Sequence, residues 1–178
     1  MSPAKSYKFR HNDLSDLKNK YEQLKGYKNI YLITESVFSV DGDLAPLDEL
    51  KAFCDANGIR MIVDCAHSSG IYSHDYKQYF LSIVTFGKSY GVHGASLLCR
   101  QKTKDYLINH SRSLIYTTAL DPFSVLYLYP SRSVVDDQTF KVVAQWVPRS
   151  DGIANHAFLW FVGWIIDDLY RSFDNALH

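Results

Sequence analysis

LSIVTFGKSYGVHGASLLC, residues 81–99, sets the architecture of this chain. An apolar run, Leu81 to Thr85, stops at Phe86-Gly87, presents Lys88 and enters a turn spaced by Gly91 and Gly94. A second apolar run, Ala95 to Cys99, follows at once. The pattern reads as a strand, an exposed turn bearing one lysine, and a second strand. A lysine held in a tight, partly dry turn becomes an amine nucleophile suited to Schiff-base chemistry, whereas a lysine in an ordinary turn is simply solvated. Gly87-Lys88-Ser89 imitates the end of a P-loop, but the first glycine of such a loop would fall at Ser82, inside the strand. No G-x-G-x-x-G follows any strand either.

Upstream, Leu14, Leu17, Tyr21 and Leu24 recur at helical spacing, with Asn12 or Asp13 able to cap the start and Gly26 the end. Asn29 to Thr34 reads as a buried strand. Pro46 opens a helix whose Leu47, Leu50, Phe53 and Cys54 form an apolar face, and Gly58 closes it. Arg60 to Asp64 is the next strand. Strand, helix and strand at this spacing make a βαβ unit, so an α/β fold with a mostly parallel sheet is expected.

In open α/β sheets, ligands bind beyond the carboxyl ends of the strands. Ser39, Asp64, His67, Thr85 and Lys88 all fall at or just after such ends. Taken singly, they read as a turn residue, a helix cap, a loop histidine, a strand residue and a turn lysine. Together they offer a carboxylate for a pyridinium nitrogen, hydroxyl and imidazole donors for a phenolate and a phosphate, and an amine for an aldehyde. That is the chemistry of a pyridoxal 5'-phosphate (PLP) site. Cys65, His67, His74 and His93 lack the usual metal-ligand spacing, so no metal is expected.

Composition narrows the class. The 178 residues suffice for one domain with a core, and 47% hydrophobic against 21% charged residues indicates a globular chain. Lys+Arg and Asp+Glu both number 19, so the net charge suggests neither nucleic acid nor a membrane surface as partner. Three cysteines without a C-x-x-C pair, and a polar N-terminus without a signal-peptide core, point to the cytoplasm. Asn109-His110-Ser111 matches a glycosylation sequon by chance in that setting.

TESVFSVDGD (Thr34–Asp43), then Ala45-Pro46-Leu47, Val63-Asp64-Cys65-Ala66-His67 and Thr85-Phe86-Gly87-Lys88, together resemble the α-oxoamine synthases. These are PLP enzymes of the fold-type I aminotransferase superfamily. Arg10-His11-Asn12-Asp13, Gly91-Val92-His93-Gly94-Ala95 and Leu114-Ile115-Tyr116-Thr117-Thr118 are similar to its biotin-pathway branch. The resemblance spans residues 8–128 and implies a partial PLP-binding large domain there, a mostly parallel sheet with flanking helices, and a homodimer. By position, Lys88 matches the lysine that bonds covalently to the cofactor, and Asp64 the partner of the pyridine nitrogen. His67 and Ser39 match groups around the phenolic oxygen, and Thr85 a hydroxyl at the phosphate. The implied reaction is decarboxylative condensation of L-alanine with a pimeloyl thioester, carried by CoA or acyl carrier protein, to 8-amino-7-oxononanoate.

Some family features have no counterpart in this sequence: the histidine that stacks on the cofactor ring and the arginine that grips the substrate carboxylate. Arg132, Arg149 and Arg171 lie beyond the similarity and take no role from it. IYSHDYKQYF replaces the family's glycine-rich loop after Gly70. Two functions therefore compete: a working acyltransferase, or a catalytically incompetent remnant retaining part of the PLP site. Residues 129–178 form an unmatched tail with an alternating stretch, KVVAQWV, and an apolar block, AFLWFVGWII. That block is about ten residues, short of the roughly twenty that span a membrane, so a core or interface helix is expected.

Overall fold

Asp13 opens the first helix by accepting the Asp16 backbone N–H at 2.9 Å, and α1 runs Leu14–Glu22. The computed structural model describes residues 5–128. The elements that follow are β1 (Tyr31–Glu35), α2 (Leu47–Asn57), β2 (Arg60–Asp64), a 3₁₀ turn (Tyr76–Gln78), β3 (Leu81–Thr85) and β4 (Ala95–Cys99). Three helices close the described part: α3 (Gln101–His110), α4 (Arg112–Ile115) and α5 (Pro122–Leu128). KVVAQWV and AFLWFVGWII lie outside the described residues. Among the described residues no helix is long and apolar enough to cross a membrane.

The strands form one sheet in the order β1-β2-β3-β4. β1, β2 and β3 are parallel, and β4 returns antiparallel to β3. The reversal follows from loop length. Parallel neighbours need a crossover of about a dozen residues or more, and residues 86–94 are too few, so the chain turns back as a hairpin. Gly58 closes α2 in the left-handed conformation, at φ 65°, which a side chain would disfavour.

One core face of the sheet carries Met61, Val63, Val84 and Leu98 against Leu50 and Cys54 of α2 and Leu17 of α1. The other carries Ile62, Leu81, Ile83 and Leu97 against Leu107 of α3. Each fully buried aliphatic side chain contributes about 1.5–3 kcal/mol relative to exposure, so both faces hold the strand ends in place.

Two expectations need correction. α1 ends at Glu22 rather than running to Gly26, because Gln23 already satisfies the last turn through Lys20 O and Tyr21 O. β1 is not buried throughout: Leu32 and Thr34 face the core, while Ile33 is 42% exposed. Ile33 lies on the α3 face of the sheet, over an edge strand that α3 does not cover.

Candidate active site

The carboxyl ends of β1, β2 and β3 lie along one edge of the sheet. Glu35 is the register partner of Asp64, and Asp64 of Ile83. Alternation along a strand then puts Glu35, Asp64 and Thr85 on the same face.

The loops beyond these ends are tied to one another. Ser36 Oγ and Ser68 Oγ are 2.6 Å apart, and Ser36 N–H donates to Asp64 O at 2.8 Å. Ser89 Oγ donates to Ser69 O, which draws the lysine turn onto the loop after β2. Gly70 permits that approach, since a Cβ there would lie 2.6 Å from Ser89 Oγ. With φ at +79°, Gly70 also occupies a backbone region that a side chain resists.

Within this frame Lys88 Nζ is 2.5 Å from His67 Nε2. An ammonium has donors only, so a charged Lys88 requires a neutral His67 offering its Nε2 lone pair. The electrostatics agree: burial lowers the His67 pKa, and the Lys88 charge lowers it further. Lys88 itself is accessible to solvent, yet its surroundings lower its pKa by desolvation, while Asp64 and Glu35 pull the other way.

Asp64 is 6% exposed, and its Oδ1 accepts the Ala66 N–H at 2.9 Å. Burial pushes its pKa up to about 6; the Ala66 N–H opposes the rise, Glu35 adds to it, and Lys88 counters it. A carboxylate so placed gains from any cation brought beside it.

Thr85 is buried, and its Oγ1 has no hydrogen-bond partner among the described residues. Such a hydroxyl costs about 1–3 kcal/mol unless something else satisfies it. Ser39 is exposed on the loop after β1, where its backbone N–H donates to Glu35 Oε2 at 3.1 Å. The structure thus joins Lys88 directly to His67, couples both electrostatically to the strand ends, and leaves the Ser39 hydroxyl outside that contact. Sequence reasoning gave no role to Glu35, Ser36, Ser68 or Ser89. Glu35 could not be singled out without the β1–β2 register.

The family model for aminotransferase class I and II matches residues 1–141. The chain belongs to that family. It is homologous to the 8-amino-7-oxononanoate synthases: it is 39% identical over 138 residues to the one from Haemophilus ducreyi, covering 69% of this chain and 36% of that protein. The crystal structure of 8-amino-7-oxononanoate synthase from Francisella tularensis superposes with a TM-score of 0.57 at 29% identity, covering 75% of this chain and 42% of that one. Serine palmitoyltransferase from S. paucimobilis with PLP-myriocin bound gives a TM-score of 0.62 at 28% identity, covering 71% and 34%. The architecture is therefore that of the fold-type I PLP-dependent transferases, and the mixed sheet with flanking helices is the part of it present here. The chain spans little more than a third of the length of the curated relatives it matches.

Proposed function

We propose that this chain is a PLP-dependent acyltransferase subunit of the α-oxoamine synthase kind. Its substrates would be L-alanine and a pimeloyl thioester, its product 8-amino-7-oxononanoate, its setting the cytoplasm and its assembly a homodimer. Residues 8–128 would form the cofactor-binding part, followed by a separate segment, 129–178. The observation that carries the reading is the Lys88–His67 contact at the strand ends, beside the buried carboxylate of Asp64.

The residues present fit the cofactor. Thr85 Oγ1 is a buried hydroxyl without a hydrogen-bond partner among the described residues, which suits a phosphate oxygen. Asp64 is a desolvated carboxylate that a pyridinium N–H would satisfy. Lys88 is an amine whose pKa is lowered, so more of it is nucleophilic at neutral pH. PLP, when bound, supplies an electron sink for the carbanion left at an amino acid's α-carbon.

The chain's own part is to hold and to move protons. Asp64 would keep the ring nitrogen protonated, Thr85 and Ser39 would bind oxygens of the cofactor, and Lys88 would carry the proton to and from the α-carbon. Neutral His67 accepts a hydrogen bond at Nε2, which keeps the Lys88 amine aimed while it is charged.

The second reading is that these residues would hold cofactor without turning it over. The experiment has two arms. Borohydride treatment of the chain with PLP should leave a phosphopyridoxyl label on Lys88, and labels scattered over surface lysines with Lys88 unmodified would overturn the site. An assay with L-alanine and pimeloyl-CoA, run beside a Lys88→Ala control, decides between the readings. Product above the control establishes turnover; capture without product establishes the second reading.

A further inference from the structure

Glu35 ends β1 as Asp64 ends β2, and the two are register partners. Partners on adjacent strands present their side chains to the same face, so two carboxylates stand side by side at the edge where Lys88 sits. Like charges so placed repel unless they are compensated. Two groups supply compensation. One is Lys88, whose amine both carboxylates hold toward its charged form against the effect of desolvation. The other is the Ser39 backbone N–H, which donates to Glu35 Oε2 at 3.1 Å.

The loop that Ser39 belongs to is otherwise anchored at its base. Val37 pairs with Leu44 in an isolated antiparallel bridge, and Phe38 N–H donates to Asp43 O at 2.9 Å. Asn12 Nδ2 donates to Asp43 Oδ2 at 2.8 Å and to Leu44 O at 3.2 Å. Those contacts, with Gly42 N–H donating to Phe38 O at 2.9 Å, hold residues 37 and 38 and residues 42 to 44. Among the described residues, Glu35 is the group that hydrogen-bonds Ser39 itself.

We infer that Glu35 is a positioning residue of this site: its bond to the Ser39 N–H places the Ser39 hydroxyl, and its charge shares the Lys88 amine with Asp64. The inference rests on the proposed roles of Lys88 and Ser39 toward PLP. With Glu35 balancing the ammonium from the β1 side, Asp64 is left for a second cation, of the kind a pyridinium nitrogen presents. A carboxylate that only tied down a loop would need the amide bond and no charge. Among the described residues, the titratable groups facing Lys88 include Glu35 from β1, Asp64 from β2 and His67 from the loop after β2.

Two variants separate charge from position. Glu35→Gln keeps an oxygen acceptor and removes the charge, whereas Glu35→Ala removes both. Competitive acetylation of the full chain with acetic anhydride, read by mass spectrometry across pH, gives the midpoint at which Lys88 becomes a free amine. Loss of a nearby negative charge disfavours the ammonium, so the midpoint should fall by about half a pH unit in both variants. Amide exchange over residues 37–43 should speed up several-fold in Glu35→Ala and stay near wild type in Glu35→Gln. An unmoved midpoint in either variant, or unchanged exchange in Glu35→Ala, overturns the inference. Both readouts are taken without PLP, so failure of borohydride capture, which would overturn the proposed function, is a separate result.

Discussion

Lys88 Nζ lies 2.5 Å from His67 Nε2, joining the hairpin turn after β3 to the loop after β2. Neither residue could hold that position alone. His67 follows directly on the buried segment Cys65–Ala66, and the lysine turn is pinned by Ser89 to Ser69 O. The contact couples two titrations, because a proton on His67 and a proton on Lys88 disfavour each other.

Replacing Lys88 by Met should raise the His67 pKa. Burial is the larger cause of its lowered value and survives the substitution; the lysine charge is the smaller cause and does not. The imidazole midpoint, followed by NMR, should therefore move up and yet stay below 6.5, the ordinary histidine value. A midpoint that does not move would mean the lysine charge is not felt at His67.

Asp64→Asn should stabilise the cofactor-free chain at neutral pH. The folded state holds the Asp64 proton up to about pH 6, while an ordinary aspartate releases it near 3.8. Between those values the folded state binds more protons than the unfolded one, so stability falls as pH rises through the window. Asparagine is neutral throughout and escapes that fall. Urea unfolding should show the variant about 2–3 kcal/mol more stable at pH 7 and equal to wild type near pH 3. Capture of PLP at Lys88 should drop in the same variant. Equal stability at pH 7 would count against a desolvated Asp64 carboxylate.

Thr85→Val keeps the shape of the side chain and removes the unpartnered hydroxyl. Without cofactor the variant should be as stable as wild type or up to about 1 kcal/mol better. Its affinity for PLP, measured by absorbance titration, should fall about tenfold, the worth of one hydrogen bond to a charged oxygen. A purely structural Thr85 would give the reverse pattern, with lower stability and unchanged affinity.

Gly70→Ala tests the seam between the two loops. The added methyl would lie 2.6 Å from Ser89 Oγ on a backbone at φ +79°. The left-handed conformation alone costs about 1–2 kcal/mol for a residue with a side chain, and relief of the clash turns Ser89 Oγ away from Ser69 O or shifts the lysine turn. Thermal unfolding should show the loss, and borohydride capture at Lys88 should slow. Adding Ser89→Ala should recover only the part due to the clash. Full recovery would show that backbone strain at Gly70 is negligible.

Much of this protein was legible along the chain because the signals are local. The apolar runs of β2, β3 and β4, the Pro46–Gly58 limits of α2 and the Lys88 turn each depend on residues within a few positions of one another. The ordered blocks around Ser39, Asp64, His67, Thr85 and Lys88 likewise identify the family from sequence alone. Register is not local, and what depends on it was decided only by the tertiary structure. The pairing of Glu35 with Asp64 joins residues 29 positions apart through hydrogen bonds that any side chains could accompany. The same holds for the half-exposed face of β1, which depends on where α3 stops covering the sheet. It holds also for the orphaned Thr85 hydroxyl, because whether a buried polar atom finds a partner is settled by every element packed around it and by none of them singly.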